Sequence, residues 1–164
     1  MQSTPVALPM PSLGRPAASG PMILDLTWGG RDYTVRLVDV GLACCSVEVM
    51  AAALGSRASR DLRELAHAAA ASPVDVLVVS GTCTDTLAPA IRRLHASIPG
   101  RPLVVSFGAC SSSGGPYWDS YAVTNGVDQV IPVDAYVPGC PPPPQALLEG
   151  IASAMARRTA GETR

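Results

Sequence analysis

Short, almost wholly apolar runs alternate along the chain with stretches in which apolar residues recur every three or four positions. The run 74–79 is apolar except for Asp75, and a second such run covers 103–107. Runs of this length that are apolar on both faces are typical of strands in a parallel sheet. The intervening stretches have the periodicity of helices that cover such a sheet.

The pattern predicts a pair of antiparallel strands at the start of the folded part. Residues 23–28 form either a short strand or an interface segment, and residues 33–38 form the next strand. Between them the sequence Gly-Gly-Arg-Asp at 29–32 predicts a turn, because glycine reaches positive φ at little cost. Two such runs on either side of a Gly-Gly turn indicate a β-hairpin.

Beyond this hairpin, helices and strands alternate. The predicted strands lie at 74–79, 103–107 and 127–133, and the predicted helices lie at 47–54, 60–71, 87–97 and 145–157. This order predicts an α/β fold, a single flavodoxin-like domain with a mostly parallel sheet flanked by helices. A chain of 164 residues is long enough to form one domain with its own core.

The α/β domain is expected to occupy residues 22–158. Residues 1–21 are rich in Pro, Gly, Ala and Ser, a composition typical of a flexible arm without packed elements. Residues 159–164 are expected to form a disordered tail. The organisation predicted is therefore one folded unit between two short flexible ends.

Composition and charge exclude several classes of function. The formal net charge is −1 at pH 7, which offers no electrostatic basis for binding nucleic acid. No apolar run reaches the roughly 18 residues that a membrane span needs, and the N-terminus lacks the pattern of a secretory signal. We therefore expect a reducing compartment, in which an odd number of cysteines, five, favours metal or cluster ligation over a disulfide framework.

Every cysteine follows a predicted strand. Cys44 and Cys45 come after the second strand, and Cys83, Cys110 and Cys140 come after the next three. Ligands of open α/β sheets bind beyond the carboxyl ends of the strands, where residues distant in sequence meet. Four thiols in loops marked by Gly and Pro are what an iron–sulfur cluster requires of a protein.

The adjacent pair Cys44–Cys45 is awkward as a ligand pair. Neighbouring side chains in strand geometry point to opposite faces, so both thiols reach one group only if the backbone bends sharply, and Gly41 is placed to help. The alternative is a pair of buried apolar thiols. The equivalent positions of Cys110 and Cys140 after other strands favour ligation.

The surroundings of the two downstream cysteines have their own alternatives. Cys110 precedes the small polar residues 111–115, which either present backbone N–H groups to a cluster or form a plain flexible loop. Cys140 lies between Gly139 and the prolines 141–144, which would stiffen the loop and start the last helix. A zinc site is the competing metal hypothesis, although the usual paired CxxC spacing is absent.

Several other polar or reactive side chains have two interpretations each. Cys83 either lines the cluster pocket or is a small buried thiol. Glu48 and Asp134 either carry a proton or orient a loop near the site, or else serve as caps or solvent-exposed charges. His67 and His95 fall on helical stretches and are expected at the surface.

An aromatic group follows the Gly-Gly sequence at 114–115. Its members are Tyr117, Trp118 and Tyr121. These side chains either pack against a partner subunit or cover the core of the domain itself.

Taken with their spacing, these motifs resemble a known family. The sequence Gly-Leu-Ala-Cys-Cys-Ser-Val-Glu-Val-Met at 41–50 resembles the tandem-cysteine signature of the B subunit of NADH–quinone oxidoreductase, respiratory complex I. The run 130–142, which ends in Val-Pro-Gly-Cys-Pro-Pro, is similar to a second signature of that family. Further similar stretches lie at 72–73, 79–82, 88–93, 108–111 and 113–115. The resemblance covers residues 41–155.

This resemblance implies a cofactor and a set of ligands. By this resemblance, one terminal 4Fe–4S cluster is held by Cys44, Cys45, Cys110 and Cys140. The cluster would pass electrons to quinone at the interface with a large hydrogenase-like subunit. The other implied partners are a ferredoxin-like cluster subunit and membrane-arm subunits. The chain would be inactive alone and peripheral to the cell membrane on its cytoplasmic side, as part of a translocase that couples electron transport to proton translocation.

Departures from the family pattern leave two alternatives for the function. The stretch 51–62 is rich in Ala where family members carry Arg and aromatic residues that line the quinone cavity, and Cys83 stands where a residue other than Cys is commoner. These departures mark a divergent member. The alternatives are the small subunit of a membrane-bound nickel–iron hydrogenase-like complex, whose relatives usually open with CxxC, and a structural cluster-bearing module without quinone chemistry.

Overall fold

The fold is organised around one sheet that is parallel except for its first strand. The computed structural model describes residues 22–28, 31–55 and 74–161. The strands are β1 (Met22–Trp28), β2 (Arg31–Gly41), β3 (Val74–Ser80), β4 (Leu103–Phe107) and β5 (Ala135–Val137), adjacent in that order. Strands β2 to β5 run parallel to one another. The predicted α/β fold with a parallel sheet flanked by helices, consistent with a flavodoxin-like domain, is therefore confirmed.

The predicted hairpin is present, with a shorter connection than the sequence suggested. Strand β1 pairs with β2 in antiparallel register from Met22 opposite Leu37 to Trp28 opposite Arg31. Arg31 and Asp32 were expected in the turn, but they belong to β2, because pairing with Trp28 and Thr27 satisfies their backbone groups. Gly29 and Gly30 lie outside the described residues.

Three of the four helices in the described residues lie where the apolar periodicity predicts them, and the fourth occupies 109–113, where a loop was predicted. They are α1 (Ala43–Gly55), α2 (Ala88–Ser97), α3 (Ala109–Ser113) and α4 (Pro144–Thr159). Prolines occupy the first turns of α2 and α4, where no backbone N–H is needed. The helix predicted at 60–71 lies outside the described residues, as do the predicted arm 1–21 and residues 162–164 of the predicted tail.

The strand predicted at 127–133 is wrong. A 3₁₀ turn occupies Val127–Gln129, and the last strand is instead the short β5. The amide of Ile131 donates to the carbonyl oxygen of Val127 at 3.0 Å, and both side chains are buried on one side of the turn. A spacing of four residues fits one turn of helix and also the alternation of a strand, so this pair of apolar residues did not decide between the two.

Each face of the sheet carries its own core. One face packs against α1 and α4, and its buried residues include Leu37, Val78, Phe107, Val49 and Ile151. The other face packs against α2 and the 3₁₀ turn, with Leu77, Val79, Val104, Ile91 and Val127 among its buried residues. Burial on both faces explains why the strands are apolar throughout.

The charged residue inside the third strand has a structural partner. Asp75 of β3 lies opposite Arg36 of β2, whose Nε and Nη2 donate to the two carboxylate oxygens at 2.7 Å each. A bidentate guanidinium–carboxylate pair satisfies both side chains at once. The pair therefore joins two neighbouring strands near the amino end of β3.

Candidate functional site

The thiols gather at one edge of the sheet because parallel strands end there together. Strands β2, β3, β4 and β5 end at Gly41, Ser80, Phe107 and Val137. Each cysteine follows one of these ends within four residues, so the predicted placement beyond the carboxyl ends is confirmed. The fold thus brings cysteines that are almost a hundred positions apart in sequence (44 and 140) to the same side of the molecule.

The backbone bends sharply just before the adjacent cysteines. Ala43, the first residue of α1, has φ +57°, and it is the one non-glycine residue with positive φ in the described ranges. Gly41, to which the sequence analysis assigned this bend, is simply the last residue of β2. The consequence is that Cys45 is only 2% exposed whereas Cys44 faces solvent. A left-handed alanine costs about 1 kcal/mol and is typical of functional sites.

Three other thiols lie close enough to Cys45 to influence its ionisation. Burial raises the pKa of Cys45 to about 11, and the thiols of Cys44, Cys110 and Cys140 act in the same direction. Four thiolates this close repel one another unless a positive group lies among them. The structure therefore groups the other three sequence-predicted ligands around Cys45, in a setting suited to a cationic centre.

Two glycines leave room beside these sulfur atoms. Gly108 has φ +98°, and a Cβ atom there would lie 2.6 Å from Cys45 Sγ. Gly115 has φ +55°, and a Cβ atom there would lie 2.9 Å from Cys110 Sγ. A donor set made only of thiols, with side-chain-free backbone against two of them, fits an iron–sulfur cluster.

The arrangement does not suit a single metal ion. Among residues 22–28, 31–55 and 74–161, no three His, Cys, Asp or Glu side chains are placed to hold one ion. Zinc requires its ligands to converge on one tetrahedral centre, at about 2.3 Å for each sulfur. A four-iron cluster binds one thiolate at each iron, so its ligands surround a larger body and need not converge on one point.

The segment that carries Cys110 is ordered by a short helix. The sequence analysis left a plain flexible loop as one alternative, but Cys110 is buried within α3. The amide of Ala109 donates to the carbonyl oxygen of Gly139 at 2.8 Å, and the amide of Gly114 donates to that of Cys110 at 3.0 Å. The Cys110 turn is therefore tied directly to the residue that precedes Cys140.

Cys140 begins the proline-rich connection to α4. Its side chain is exposed, and the run of prolines from 141 leads into α4, which starts at Pro144. The prediction that this run ends in the last helix is confirmed. Because proline has a fixed φ, such a connection restricts the freedom of the segment that carries the thiol.

Cys83 is separate from the other four cysteines. It is fully buried in the core between the sheet and α2, with Leu77, Val79 and Ile91. Cys45, in contrast, belongs to the core on the opposite face of the sheet. Burial raises the pKa of the Cys83 thiol, a shift that a hydrogen bond with the Thr124 side chain opposes. Of its two interpretations, the small buried thiol is the one that the structure supports.

Asp134 has a structural role that orients the chain before β5. Its Oδ2 accepts the amide of Val104 at 2.8 Å and Arg158 Nη2 at 3.3 Å, and its Oδ1 lies 3.5 Å from Arg101 Nη2. These contacts lie at the amino ends of β4 and β5, opposite the thiols. Asp134 therefore orients the start of a strand and not the cysteine site.

Three polar candidates remain, and the structure describes two of them, Glu48 and His95. Glu48 lies half-buried on α1 and makes no hydrogen bond or ion pair with another described residue, so its proposed roles stay predictions. His95 is half-buried on α2, and His67 lies outside the described residues.

Sequence reasoning missed a half-buried carboxyl group close to the site. Asp39 of β2 lies on the sheet face of Leu37 and Cys45, and its Oδ1 accepts the Ser80 hydroxyl at 2.9 Å. Burial raises its pKa to about 6, and the hydrogen bond from Ser80 opposes that rise. The available signal was an acidic residue within the otherwise apolar run that ends β2.

The aromatic group after α3 projects into solvent. Trp118 is 64% exposed and Tyr121 is 99% exposed, so these side chains do not cover the core. The far end of the loop is held by the Thr84–Val123 bridge and by Thr124 Oγ1, which donates to Asp85 Oδ1 at 2.9 Å. Of the two interpretations, contact with a partner is the one that remains.

Comparison with known proteins identifies the family. The model of the family described as NADH ubiquinone oxidoreductase, 20 Kd subunit, matches residues 38–154, a range that contains all five cysteines. This chain belongs to that family. The resemblance predicted from the tandem cysteines and the Gly-Cys-Pro-Pro run is thereby confirmed.

Relatives of the 20 kDa subunit family include several bacterial proteins. An NADH-quinone oxidoreductase B subunit of Streptomyces griseus is 50% identical over 151 residues, which cover 90% of this chain and 63% of that protein. An NADH-quinone oxidoreductase B subunit of Salinispora tropica is 52% identical over 137 residues, or 83% of this chain and 72% of that protein. The chain thus spans somewhat less than two thirds of the length of the first of these relatives.

A solved structure shares the same fold. It is a chain of the membrane-bound sulfane sulfur reductase, an archaeal respiratory membrane complex, with 26% sequence identity and a TM-score of 0.57. The match covers 77% of this chain and 71% of the other. Within the part of the chain that the structure describes, the helices are too short or too polar to cross a bilayer.

Proposed function

We propose that this chain is the electron-transfer subunit of a complex I-type NADH:quinone oxidoreductase and holds its terminal 4Fe–4S cluster. Cys44, Cys45, Cys110 and Cys140 are the proposed ligands. The observation that carries the proposal is the grouping of the other three thiols around Cys45 at the carboxyl edge of the sheet. Membership of the 20 kDa subunit family supports it independently.

The residues around these thiols have defined tasks in this proposal. When bound, the cluster supplies one-electron transfer, with a potential that depends on its surroundings. The left-handed Ala43 turns Cys44 and Cys45 in different directions, and the absent side chains of Gly108 and Gly115 keep two sulfur atoms unobstructed. The buried position of Cys45 excludes water from one side of the site, which strengthens local electrostatic interactions.

The proposed partners cover apolar groups that this chain exposes beside the thiols. Val47 and Met50, on the helix whose first turn contains Cys44 and Cys45, are both more than half exposed, and the aromatic group lies after Cys110. We assign this surface to the large hydrogenase-like subunit, with quinone as electron acceptor at the interface. A ferredoxin-like cluster subunit and membrane-arm subunits would complete a peripheral assembly on the cytoplasmic side of the cell membrane, with proton translocation elsewhere in the complex.

Substitution of single cysteines tests the ligand set. In Cys44→Ser and Cys140→Ser, the visible absorbance and the electron paramagnetic resonance signal of the cluster are expected to disappear. Cys83→Ser is the matched control, because Cys83 is buried in the other core, and it is expected to keep the full signal. A full signal in either ligand variant would contradict the assignment.

A second candidate function has one observation in its favour. The structural neighbour comes from a sulfane sulfur reductase, so this fold also serves in a respiratory membrane complex of a different name. In that case the chain would be the small subunit of a hydrogenase-like complex with another donor or acceptor. Purification of the intact complex decides between them. A large subunit with paired cysteine ligands for nickel would favour the alternative, and one without them would favour quinone reduction.

A structural role for the cluster is the third candidate, and redox titration tests it. A cluster that neither gains nor loses an electron over the physiological range of potentials would exclude both electron-transfer proposals. Reversible reduction within that range is the expected result.

A further inference from the structure

A network of two buried hydroxyl groups and one half-buried hydroxyl group joins β4 to the helix that carries Cys110. Ser106 of β4 is fully buried, and its Oγ lies 2.9 Å from Ser111 Oγ and 3.0 Å from Ser112 Oγ. Ser111 and Ser112 directly follow Cys110. The Ser106 hydroxyl, on the strand before Cys110, is therefore in contact with the hydroxyls of the first two residues after Cys110.

The same network closes on the backbone of Gly108. The Gly108 carbonyl oxygen accepts Ser112 Oγ at 2.8 Å, Ser111 Oγ at 3.2 Å and the Ser112 amide at 3.2 Å. Helix α3 has only five residues, and a helix this short is not stable by itself. The side-chain hydroxyls therefore supply part of what holds the Cys110 turn in place.

Gly108 connects this network to the other thiols. Its amide donates to the carbonyl oxygen of Val137 at 2.8 Å, and the next amide, of Ala109, donates to that of Gly139 at 2.8 Å. On its other side, the missing Cβ of Gly108 faces Cys45 Sγ. A displacement of Gly108 would thus change the positions of Cys45 and Cys110, and of the segment that leads to Cys140, relative to one another.

The hydroxyl protons have more than one arrangement over the same oxygen atoms. The three serine hydroxyl groups have three protons to donate but make four contacts. Two of these contacts are between serines, and two are with the Gly108 carbonyl oxygen. When Ser111 and Ser112 both donate to Gly108, Ser106 can donate to only one of them. Rotatable dipoles of this kind in a buried site respond strongly to a charge placed nearby.

We propose that Ser106 is a positioning residue for the cluster, acting through Ser111 and Ser112 on Gly108 and Cys110. The inference rests on the proposed function. With a cluster bound, the electron supplied in the experiment by dithionite would add negative charge beside Cys110, and the hydroxyl dipoles of Ser106, Ser111 and Ser112 would reorient to stabilise it. Removal of the Ser106 hydroxyl leaves both donors to the Gly108 carbonyl in place, so the fold of α3 persists while this response is lost.

The test compares Ser106→Ala with Ser113→Ala in the full chain, loaded anaerobically with iron and sulfide. Ser113 is the matched control, because it lies on the same helix and donates to the Ala109 carbonyl oxygen at 3.3 Å but is exposed. The readouts are iron and sulfide content, the reduction potential from a dithionite titration, and hydrogen exchange at the Ser112 and Gly114 amides of the metal-free chain.

Ser106→Ala is expected to keep wild-type iron content and amide protection, with the reduction equilibrium constant at least threefold lower. For a one-electron couple this is a decrease of about 28 mV in potential, at roughly 59 mV for each tenfold change. Ser113→Ala is expected to match the wild type. An unchanged potential in Ser106→Ala, or equal shifts in both variants, would overturn the inference.

Two further results separate this inference from the function on which it rests. If Ser106→Ala does not fold or load, Ser112→Ala replaces it, since the Ser106–Ser111 contact remains there. A smaller shift in the same direction is then expected, and no shift overturns the inference. A wild-type chain that takes up no cluster would contradict the proposed function itself, and the inference with it.

Discussion

The two edges of the parallel sheet differ in how their reactive side chains are partnered. At the amino edge, charged side chains are paired: Asp75 binds Arg36, and Asp134 binds Arg158 and the Val104 amide. At the carboxyl edge, three thiols gather around that of Cys45, and each raises its pKa further. The charged groups at one edge are therefore paired within the protein, whereas at the other edge the neighbouring thiols disfavour the ionisation of Cys45.

Backbone conformation follows the same division. Positive φ occurs at Ala43, Gly81, Gly108 and Gly139, each within two residues of the carboxyl end of a strand. At the three glycines a Cβ atom would collide with sulfur or with other backbone, whereas at Gly100, before β4, it would meet nothing within 4 Å. Crowded, left-handed backbone concentrated at one edge is typical of a fold whose stability and function reside in different places.

The largest expected effect comes from filling the space beside Cys45. Gly108→Ala places a methyl group 2.6 Å from Cys45 Sγ on a left-handed backbone, so we expect the free energy of unfolding of the metal-free chain to fall by about 2–4 kcal/mol. Iron content after reconstitution should fall with it. Chemical denaturation and iron analysis measure the two effects.

Gly100→Ala is the matched control for that change. Gly100 also has positive φ, +77°, but the space beside it is open. The substitution should cost only the left-handed strain, about 1 kcal/mol. Equal losses in the two variants would show that close approach to Cys45 has no energetic importance.

A smaller effect is expected at the amino edge. Asp134→Ala leaves the amide of buried Val104 without its acceptor, at a cost of about 2 kcal/mol, while the partly exposed arginine pairs add little. The reduction potential of the loaded chain should not change. Asp119→Ala, at an exposed loop position, is the control and should be neutral. A shifted reduction potential in Asp134→Ala would show that the amino edge of the sheet influences the site at the carboxyl edge.

Asp39 allows a pH test at the carboxyl edge. Its folded pKa, about 6, is above the ordinary value of 3.8, so the folded state holds this proton more tightly than the unfolded state. Its contribution to stability is therefore fully present below about pH 4 and is lost as the pH rises through about 6. Asp39→Asn should remove that loss and keep an acceptor for Ser80.

The measurement is the free energy of unfolding of both proteins at several pH values. Relative to wild type, Asp39→Asn should gain about 1–2 kcal/mol between pH 4 and pH 7, a figure reduced for the partial exposure of the carboxyl group. If the difference in the free energy of unfolding between wild type and Asp39→Asn did not vary with pH, the raised pKa of Asp39 would be refuted.

The smallest effect on the chain itself is expected at the exposed aromatic group. Trp118→Ala and Tyr121→Ala remove side chains that face solvent, so stability should change by less than about 0.5 kcal/mol. Association with the purified large subunit should weaken by about 2 kcal/mol, because exposed aromatic residues are common anchors of interfaces. Glu149→Ala, exposed on α4, is the control for binding. Unchanged affinity in both aromatic variants would assign the partner to another surface.

Prediction from sequence succeeded where one residue pattern has one structural solution. Leu103–Phe107 is apolar except for Ser106, and the strand there has the predicted bounds. It failed where a short apolar group fits two periodicities. Val127 and Ile131 were assigned to a strand, but they lie one helical turn apart and are buried together.

The candidate site shows the same limit. Its four thiols were predicted from their positions after strands, whereas the bend at Ala43 had no signal, because alanine rarely adopts positive φ. The hydroxyl network around Gly108 also had none, since its members are ordinary small polar residues of a turn.

By itself, the sequence determined the class of fold, the family and the identity of the thiols, because apolar periodicity and the spacing of Cys residues are local properties of the chain. Only the tertiary structure showed that Cys83 lies apart from the four predicted thiols. Cys45 and Cys83 follow adjacent strands, yet they lie in cores on opposite faces of the sheet. That separation depends on how each strand end turns, and the packing of the helices on the two faces determines that direction.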